Sequence, residues 1–402
     1  MQLSELHDRL LQHNTSTEVH AEQVVDTLLE GAIALAASDV HLQPTAYGFL
    51  IRVRIDGVLL PVGEIPHGKK TDIAARLKIL AGLLTYRTDI PQEGRVSDIS
   101  FGQEVRISTF PSLHGERVVI RILWQQAELN QIADLGLPPT IATDLTDLLR
   151  ESSGMILIAG PAGSGKSTTA YAGLRHIVSQ EEGARSVVTL EDPVESELPG
   201  ISQSNIRPAS GFDFATGLRS LMRQDPEVIF VGEIRDPETA ETAMQASLTG
   251  QLVLTTFHSG SAAEAVRRLI DMGMPPYMIQ SGLLGVLHQR LVRKLCHCAV
   301  GCGNDDRFGF HLVGMKKAHG CEDCRGTGYQ GRTLLAEWLV PFRHRLADLA
   351  LESATSAQIE AWAVRAGMTT RWTQAEELLT EGTTSPAEIR RVLGFRDDPN
   401  QG

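Results

Sequence analysis

The sequence predicts an α/β fold in which a domain built on a parallel β-sheet follows a small α+β domain. Two observations support this prediction. Short apolar runs alternate with helix-compatible stretches through the middle of the chain, as in a parallel sheet covered by helices. Before them, residues 38–124 combine alternating apolar segments with a hairpin signal at Asp56-Gly57.

Length and composition indicate a multidomain globular protein without a membrane span. A chain of 402 residues is too long for one core. The apolar content is 42%, and the formal charge of -12 argues against a nucleic-acid surface as the main function. Residues 1–16 lack the apolar core of a signal peptide, and no apolar run reaches about 18 residues. We therefore expect a cytoplasmic protein.

Breaks in the pattern predict the domain boundaries. We expect four parts: a short helical segment over 1–37, the α+β domain over 38–124, a polar linker over 125–137 and the main domain over 138–402. Beyond Leu291 the sequence changes to cysteines, glycines and charges, with an insertion over 293–332 and a helical region from about residue 340.

The main domain is organised around a Gly-rich phosphate-binding loop. An apolar run, Met155 to Ala159, predicts a buried strand, and helix-compatible sequence follows the loop. The glycines let backbone N–H groups face phosphate oxygens, Lys166 can reach the β- and γ-phosphates, and Ser167 can bind Mg²⁺. The residues expected to bind nucleotide are Gly160, Pro161, Ala162, Gly163, Ser164, Gly165, Lys166, Ser167 and Thr168.

Polar residues follow three further apolar runs. Parallel strands end at one edge of a sheet, so Glu191, Glu233 and His258 are expected there with the loop. Glu233, on a strand expected beside the loop strand, can hold Mg²⁺ through water or orient the attacking water. Glu191 is another candidate acid, and His258 can sense the γ-phosphate. The alternatives are surface acids and a packing histidine.

Four arginines are candidates for stabilising transition-state charge. Arg95 and Arg106 lie in the first domain, and Arg219 and Arg223 lie in the second. The four-residue spacing of the second pair predicts a shared helical face. Arginines supplied across a domain or subunit boundary serve this purpose in other phosphoryl-transfer enzymes. The alternative for each is a solvated side chain or a surface ion pair.

All five cysteines lie between Cys296 and Cys324. In a chain without an export signal, this favours metal ligation over disulfides. Cys321 and Cys324 form a C-x₂-C pair that suits two places of a tetrahedral zinc site. Cys296, Cys298 and Cys302 compete for the other two places, and the sequence leaves that choice open.

These segments together resemble the secretion ATPases of type II secretion and type IV pilus assembly, within the RecA-like motor class. The resemblance extends from about Ser38 to Leu393. The matching segments are Ala37–Pro44, Arg52–Gly57, Gln92–Arg95, Arg106–Thr109, Thr189–Glu195, Leu218–Glu227 and Ala246–Gly250.

The resemblance implies a RecA-like P-loop domain, a PAS-like first domain, and ATP with Mg²⁺ as ligands. By resemblance Glu233 and Glu191 are the catalytic acids, and His258 contacts the nucleotide phosphates. Arg95 and Arg106 would reach a neighbouring active site. The family works as a ring-shaped homohexamer on the cytoplasmic face of the inner membrane, with an inner-membrane platform protein and a membrane adaptor as expected partners. No nucleic-acid partner is expected.

The cysteine insertion resembles the Zn²⁺-binding finger of the assembly and secretion members, which the retraction members lack. Only a short segment precedes Ser38, where secretion members usually carry a longer extension. Gln251 and Ser259 stand where the family more often has His and Thr. The leading function is an ATP-driven motor for pilus assembly or type II secretion. The alternatives are a conjugation-type translocase of DNA or protein, a pilus retraction ATPase and an adaptor that binds ATP without hydrolysing it.

Overall fold

The structure is a computed structural model that describes residues 1–15, 21–66, 72–96, 102–124, 131–180, 185–346 and 349–395. The chain forms two compact units. The first comprises Met1–Gln125 and His319–Gly331, and the second comprises Gln126–Ala318 and Arg332–Gly402. Residues 125–130 of the expected linker lie outside the described residues.

The first unit is an α+β unit with three helices and six strands among its described residues. Its helices are α1 (Leu3–Thr15), α2 (Ala21–Ala34) and α3 (Ile73–Leu80). Its strands are β1 (Asp39–Pro44), β2 (Gly48–Ile55), β3 (Val58–Pro66), β4 (Gln92–Val96), β5 (Glu104–Ser112) and β6 (Gly115–Leu123).

The sheet of the first unit has the order β3-β2-β1-β6-β5-β4, and every neighbouring pair is antiparallel. The predicted hairpin joins β2 to β3: Asp56 and Gly57 have φ of 48° and 80°, the left-handed values that a tight hairpin turn needs. Alternate residues of β6 are buried, so one face packs on the core and the other faces out. The sequence did not predict β4.

The second unit carries the remaining described elements. Its helices are α4 (Pro139–Leu148), α5 (Lys166–Gln180), α6 (Phe214–Leu221), α7 (Pro237–Leu248), α8 (Ala262–Asp271), α9 (Pro276–Gly282), α10 (Ser356–Arg365), α11 (Arg371–Thr380) and α12 (Pro386–Leu393). Its strands are β7 (Gly154–Ala159), β8 (Val187–Glu191), β9 (Ser202–Asn205), β10 (Val228–Val231), β11 (Leu252–Phe257), β12 (Leu283–Leu295), β13 (Val300–Gly301), β14 (Lys316–Lys317) and, from Arg332 onward, β15 (Tyr329–Leu339).

The main sheet has the order β15-β12-β7-β11-β10-β8-β9, and the pairings from β12 to β9 are parallel. Helices cover both faces: Met155 and Leu157 of β7 enter one apolar cluster, and Ile156 and Ile158 enter another. Burial on both faces explains why these strands read as unbroken apolar runs. The predicted α/β fold with a parallel sheet is confirmed.

Two features of this sheet differ from the sequence prediction. Strand β11 lies between β7 and β10, so the strand that precedes Glu233 is not the neighbour of the loop strand. Strands β9, β12 and β15 were not predicted, because β9 is polar and charged residues interrupt the apolar pattern of β12 and β15. Those charges are paired: Arg293 of β12 contacts Glu388, and Glu337 of β15 contacts Arg371.

Candidate functional site

The phosphate-binding loop has the backbone conformation that its glycines permit. Gly160, Gly163 and Gly165 have φ of 145°, 73° and 89°, values that side-chain-bearing residues rarely adopt. A Cβ atom at Gly160 would lie 2.5 Å from the backbone oxygen of Gln289. The loop leads directly into α5, whose N-terminal amides favour anionic groups. The loop therefore fits a nucleotide phosphate group.

Lys166 is buried against the loop. Its Nζ atom donates to the carbonyl oxygens of Gly160 and Pro161, each at 2.9 Å. Burial lowers the pKa of Lys166 to about 8, although the negative charges of Glu233 and Glu195 oppose that shift. An ammonium group held mainly by neutral carbonyls can move to phosphate oxygens, which are better partners.

The Ser167 hydroxyl, expected to bind Mg²⁺, lies 3.2 Å from Oε1 of Glu195. Glu195 belongs to the acidic segment that follows β8. A hydroxyl and a carboxylate are both ligands that Mg²⁺ accepts in proteins. These two oxygens fit a magnesium ion held against the nucleotide phosphates. Thr168, the last expected nucleotide contact, lies in the first turn of α5.

Glu191, the first candidate acid, is only 3% exposed at the end of β8. Its Oε1 atom accepts hydrogen bonds from Thr189 Oγ1 at 2.6 Å and from Gln203 Nε2 at 3.1 Å. Its Oε2 atom accepts one from the Tyr171 hydroxyl. Both carboxylate oxygens are therefore held in one orientation by uncharged donors.

Glu233, the second candidate acid, follows β10 and has a side chain that is 15% exposed. It forms an ion pair with Arg235, whose guanidinium also lies 4.0 Å from Asp192. The Nε2 atom of His258 lies 3.8 Å from Oε2 of Glu233. The structure thus brings together two predicted residues that are 25 positions apart in the chain.

His258 follows β11, the direct neighbour of the loop strand β7. Burial and the nearby charge of Lys166 lower its pKa from the ordinary value of about 6.5. Its imidazole is therefore mainly neutral at pH 7, and the 3.8 Å between its Nε2 atom and Oε2 of Glu233 is too long for a hydrogen bond. A neutral ring can approach a phosphate and still accept or donate a proton.

The four predicted arginines have partners of their own. Arg95 and Arg106 are opposite each other on β4 and β5, with Glu104 at 3.3 Å and Glu93 at 3.0 Å. Arg219 lies 2.6 Å from Glu238 at the start of α7.

Arg223 does not share a helical face with Arg219, because α6 ends at Leu221. The Arg223 guanidinium instead donates to the Arg219 carbonyl at 2.8 Å. The prediction of a common helical face was wrong for this pair.

Three residues of this site escaped the sequence analysis. Tyr171 and Gln203 hold Glu191, and the buried Gln289 of β12 donates to the Ser164 carbonyl at 2.9 Å. The position of Tyr171 offered a signal, because it lies one helical turn after Ser167. Gln203 and Gln289 offered none, since both depend on strands that the sequence did not predict.

The cysteine segment forms a compact ligand cluster. Among the described residues, the Sγ atoms of four cysteines all lie within 4.8 Å of one another: Cys296, Cys298, Cys321 and Cys324. Cys302 does not belong to this group. Four thiolates at zinc bond lengths of about 2.3 Å lie about 3.8 Å apart in a tetrahedron. The 3.7 Å separation of the Cys321 and Cys324 sulfurs fits that geometry.

The backbone N–H groups of Cys321 and Gly328 donate to the Cys324 sulfur, each at 3.1 Å. Such hydrogen bonds stabilise a thiolate and orient it toward a metal ion. The cluster therefore fits a metal ion, and its membership favours Cys296 and Cys298 for the two places that the sequence left open. In the described part of the chain, no helix is both long and apolar enough to cross a bilayer.

Comparisons with known proteins agree with the geometry. The family described as Type II/IV secretion system protein matches residues 14–391. Type II secretion system protein HxcR of Pseudomonas aeruginosa is 40% identical over 373 residues, which cover 92% of this chain and 76% of HxcR. Type II secretion system ATPase E of Vibrio cholerae is 40% identical over 384 residues, with coverages of 92% and 75%.

The type IV pilus assembly ATPase PilB of Thermus thermophilus is 39% identical over 387 residues, which cover 92% of this chain and 43% of PilB. Among solved structures, the Legionella pneumophila ATPase DotB has a TM-score of 0.67 at 22% identity, covering 94% of this chain and 96% of DotB. The pilus retraction motor PilT with bound ADP has a TM-score of 0.63 at 24% identity, with coverages of 94% and 98%. These structures share the fold, and the sequence relatives show that the chain belongs to the Type II/IV secretion system protein family.

Proposed function

We propose that this protein is an ATP-hydrolysing motor that drives type IV pilus assembly or type II protein secretion. The observation that supports this most is the carboxyl edge of the main sheet. The loop with Lys166 and Ser167, the acids Glu191 and Glu233, and the neutral His258 all follow strands that end at that edge. The curated relatives named as secretion and pilus assembly ATPases support the same activity.

The side chains divide the work of hydrolysis. Lys166 binds the β- and γ-phosphates, and Ser167 holds Mg²⁺. Glu233 orients the attacking water and accepts its proton, with His258 close to the transferred phosphate. Mg²⁺, when bound with ATP, neutralises the charge that develops on the phosphates. Glu191 contributes a second fixed carboxylate at the same edge.

The arginines complete the site at a subunit boundary in this proposal. Arg95 and Arg106 of one protomer exchange their glutamate partners for the nucleotide bound by the next protomer, and Arg219 and Arg223 act beside them. Paired guanidinium groups near carboxylates can be released to a stronger anionic partner. The protein then works as a homohexamer that moves an inner-membrane platform protein from the cytoplasmic face, with a membrane adaptor as a further partner.

The direct test replaces Glu233 with Gln in the purified hexamer. We expect kcat for ATP to fall about 10²–10⁴-fold while nucleotide still binds, because the amide cannot accept the proton. Glu241→Gln, an exposed glutamate of α7, is the matched control and should hydrolyse ATP like wild type. Wild-type hydrolysis by Glu233→Gln would refute the assigned chemistry.

The alternative functions predict other behaviour. A conjugation-type DNA translocase would show ATPase activity that DNA stimulates and salt suppresses, and the net charge of -12 argues against that. The resemblance implies that a retraction ATPase lacks the cysteine cluster, whereas this chain has one. An adaptor that only binds ATP would have no use for two carboxylates at the phosphate edge.

We propose that Cys296, Cys298, Cys321 and Cys324 bind Zn²⁺. A tetrahedral thiolate set with hydrogen-bonded sulfurs supports zinc, which favours soft ligands. Cys298→Ser should lower the bound zinc per chain well below one, and Cys302→Ser, the matched control, should keep it. The measurement is metal content by mass spectrometry after gel filtration. Loss of zinc from Cys302→Ser, or wild-type protein without zinc, would contradict this assignment.

A further inference from the structure

Tyr171 lies on α5, one turn after Ser167, and is only 5% exposed. Its ring packs edge-on against Phe230 of β10, with ring centroids 6.2 Å apart and an interplanar angle of 83°. The two rings fix the direction of the phenol group, because a buried aromatic side chain packed this way has few alternative rotamers. The hydroxyl is therefore held at a defined point beside the acidic segment.

The Tyr171 hydroxyl makes two hydrogen bonds to that segment. It donates to Oε2 of Glu191 and accepts from the backbone N–H of Glu195 at 3.1 Å. The Glu195 carboxylate in turn accepts from the Ser167 hydroxyl at 3.2 Å. These contacts and the intervening turn of α5 form a closed ring of interactions. The ring joins the residue expected to bind Mg²⁺ to the first candidate acid.

The other oxygen of Glu191 has separate donors. Thr189 and Gln203 hold Oε1, and Gln203 is itself anchored to the Ser196 carbonyl at 3.1 Å and to the Leu198 amide at 2.6 Å. Among the described residues, the Tyr171 hydroxyl is the donor to Oε2. Removing that hydroxyl would release one oxygen of Glu191 and leave the other in place.

Burial and the hydrogen bond to Glu191 raise the pKa of Tyr171 above its ordinary value of about 10. The phenol therefore keeps its proton throughout the range in which the protein works. It acts as a permanent donor and takes no part in proton transfer.

We propose that Tyr171 is a positioning residue for ATP hydrolysis, aligning Glu191 and the Glu195 backbone with the Ser167 end of α5. This inference rests on the proposed role of Glu191. Tyr171 is a residue of α5, the helix that follows the phosphate loop. A shift of α5 on nucleotide binding therefore moves the Tyr171 hydroxyl and, through its two hydrogen bonds, Glu191 and Glu195. The Ser167 hydroxyl and the Glu191 carboxylate thus keep the same distance and orientation relative to each other.

The test is Tyr171→Phe, which keeps the ring and its contact with Phe230 and removes only the hydroxyl. We expect kcat for ATP to fall about tenfold to hundredfold, as for other hydrogen bonds to charged groups. The Kd for ATP, measured by titration, should change less than about twofold, because the phenol is engaged by Glu191 and by the Glu195 backbone and lies behind the acids rather than in the phosphate loop. Tyr277→Phe, a largely exposed tyrosine of α9, is the control and should behave like wild type.

A double variant separates the possible outcomes. Once Glu191 is replaced by Gln, adding Tyr171→Phe should cause little further loss of kcat, because residues acting as one unit are not additive. Activity of Glu191→Gln equal to wild type would overturn the proposed role of Glu191, and this inference with it. Loss of activity in Glu191→Gln alone, with Tyr171→Phe fully active, would overturn only the inference. A Tyr171→Phe protein that loses ATP affinity or hexamer assembly along with kcat would assign the hydroxyl to the fold and would also overturn it.

Discussion

Two glutamates of the second unit are almost equally buried and have opposite kinds of partner. Glu191, at the end of β8, is 3% exposed, and its hydrogen-bond donors among the described residues, Tyr171, Thr189 and Gln203, are all uncharged. Glu388, on α12, is 1% exposed and accepts bonds from the guanidinium groups of Arg293 and Arg391. The first lies at the edge where we propose that nucleotide binds, and the second joins α12 to β12.

The difference shows how one residue type serves two purposes. Two guanidinium groups compensate the charge of Glu388, so this carboxylate has nothing left to offer a cation or a water molecule. Uncharged donors fix the direction of Glu191 and leave its charge uncompensated. Such a group is costly to bury and is retained where its charge acts on a ligand. This contrast supports the role in hydrolysis that we propose for Glu191 and a structural role for Glu388.

The largest effect is expected for the stability contributed by Glu388. Burial alone would raise its pKa, but the hydrogen bonds from Arg391 and Arg293 outweigh burial and lower that pKa to about 2. The unfolded chain has the ordinary pKa of about 4.5, so the stabilisation is complete above that pH and is lost as the pH falls toward 2. Glu388→Gln should therefore lower the free energy of unfolding by about 3 kcal/mol at pH 7.

Urea unfolding followed by tryptophan fluorescence measures this loss, because Trp372 packs on the same cluster as Ile389 of α12. The difference between wild type and variant should shrink between pH 4.5 and pH 2. Glu352→Gln, an exposed glutamate of the same unit, is the control. A Glu388→Gln protein as stable as wild type, or one that folds normally without ATPase activity, would remove the contrast with Glu191.

The sequence alone was sufficient to predict Glu191 and its neighbours at the edge of the main sheet, but not the ion pairs of Glu388. The loop, Glu191, Glu233 and His258 follow apolar strands buried on both faces, and that pattern is visible in a single sequence. Strands β12 and β15 carry charges whose partners are distant in the chain: Glu388 lies 95 positions after Arg293, and Arg371 lies 34 positions after Glu337. Local patterns cannot show such pairings. The same limit hid Gln203 and Gln289. The sequence also left open which two of Cys296, Cys298 and Cys302 join the other pair, and only the positions of the sulfur atoms favour Cys296 and Cys298.

The smaller effect concerns the reach of Glu191. Glu191→Asp shortens the side chain by one methylene group and so moves the carboxylate away from its hydrogen-bond donors. These donors cannot follow it, because Thr189 lies on the same buried strand and Tyr171 is a buried residue of α5. A displacement of about 1 Å at a reacting group can cost about hundredfold in rate, so we expect kcat to fall by that factor with little change in stability. Glu233→Asp is the matched comparison, since the Arg235 side chain is 62% exposed and long enough to follow a shorter acid.

We therefore expect Glu191→Asp to lose more activity than Glu233→Asp, although both variants keep a carboxylate. The measurement is kcat for ATP at saturating nucleotide, with thermal unfolding recorded for each protein. Equal losses would mean that the uncharged donors do not fix the position of Glu191 any better than one exposed guanidinium fixes Glu233. In that case the rigid set of donors around Glu191 would stabilise β8 and β9, and a fixed position of the Glu191 carboxylate would not be what hydrolysis requires.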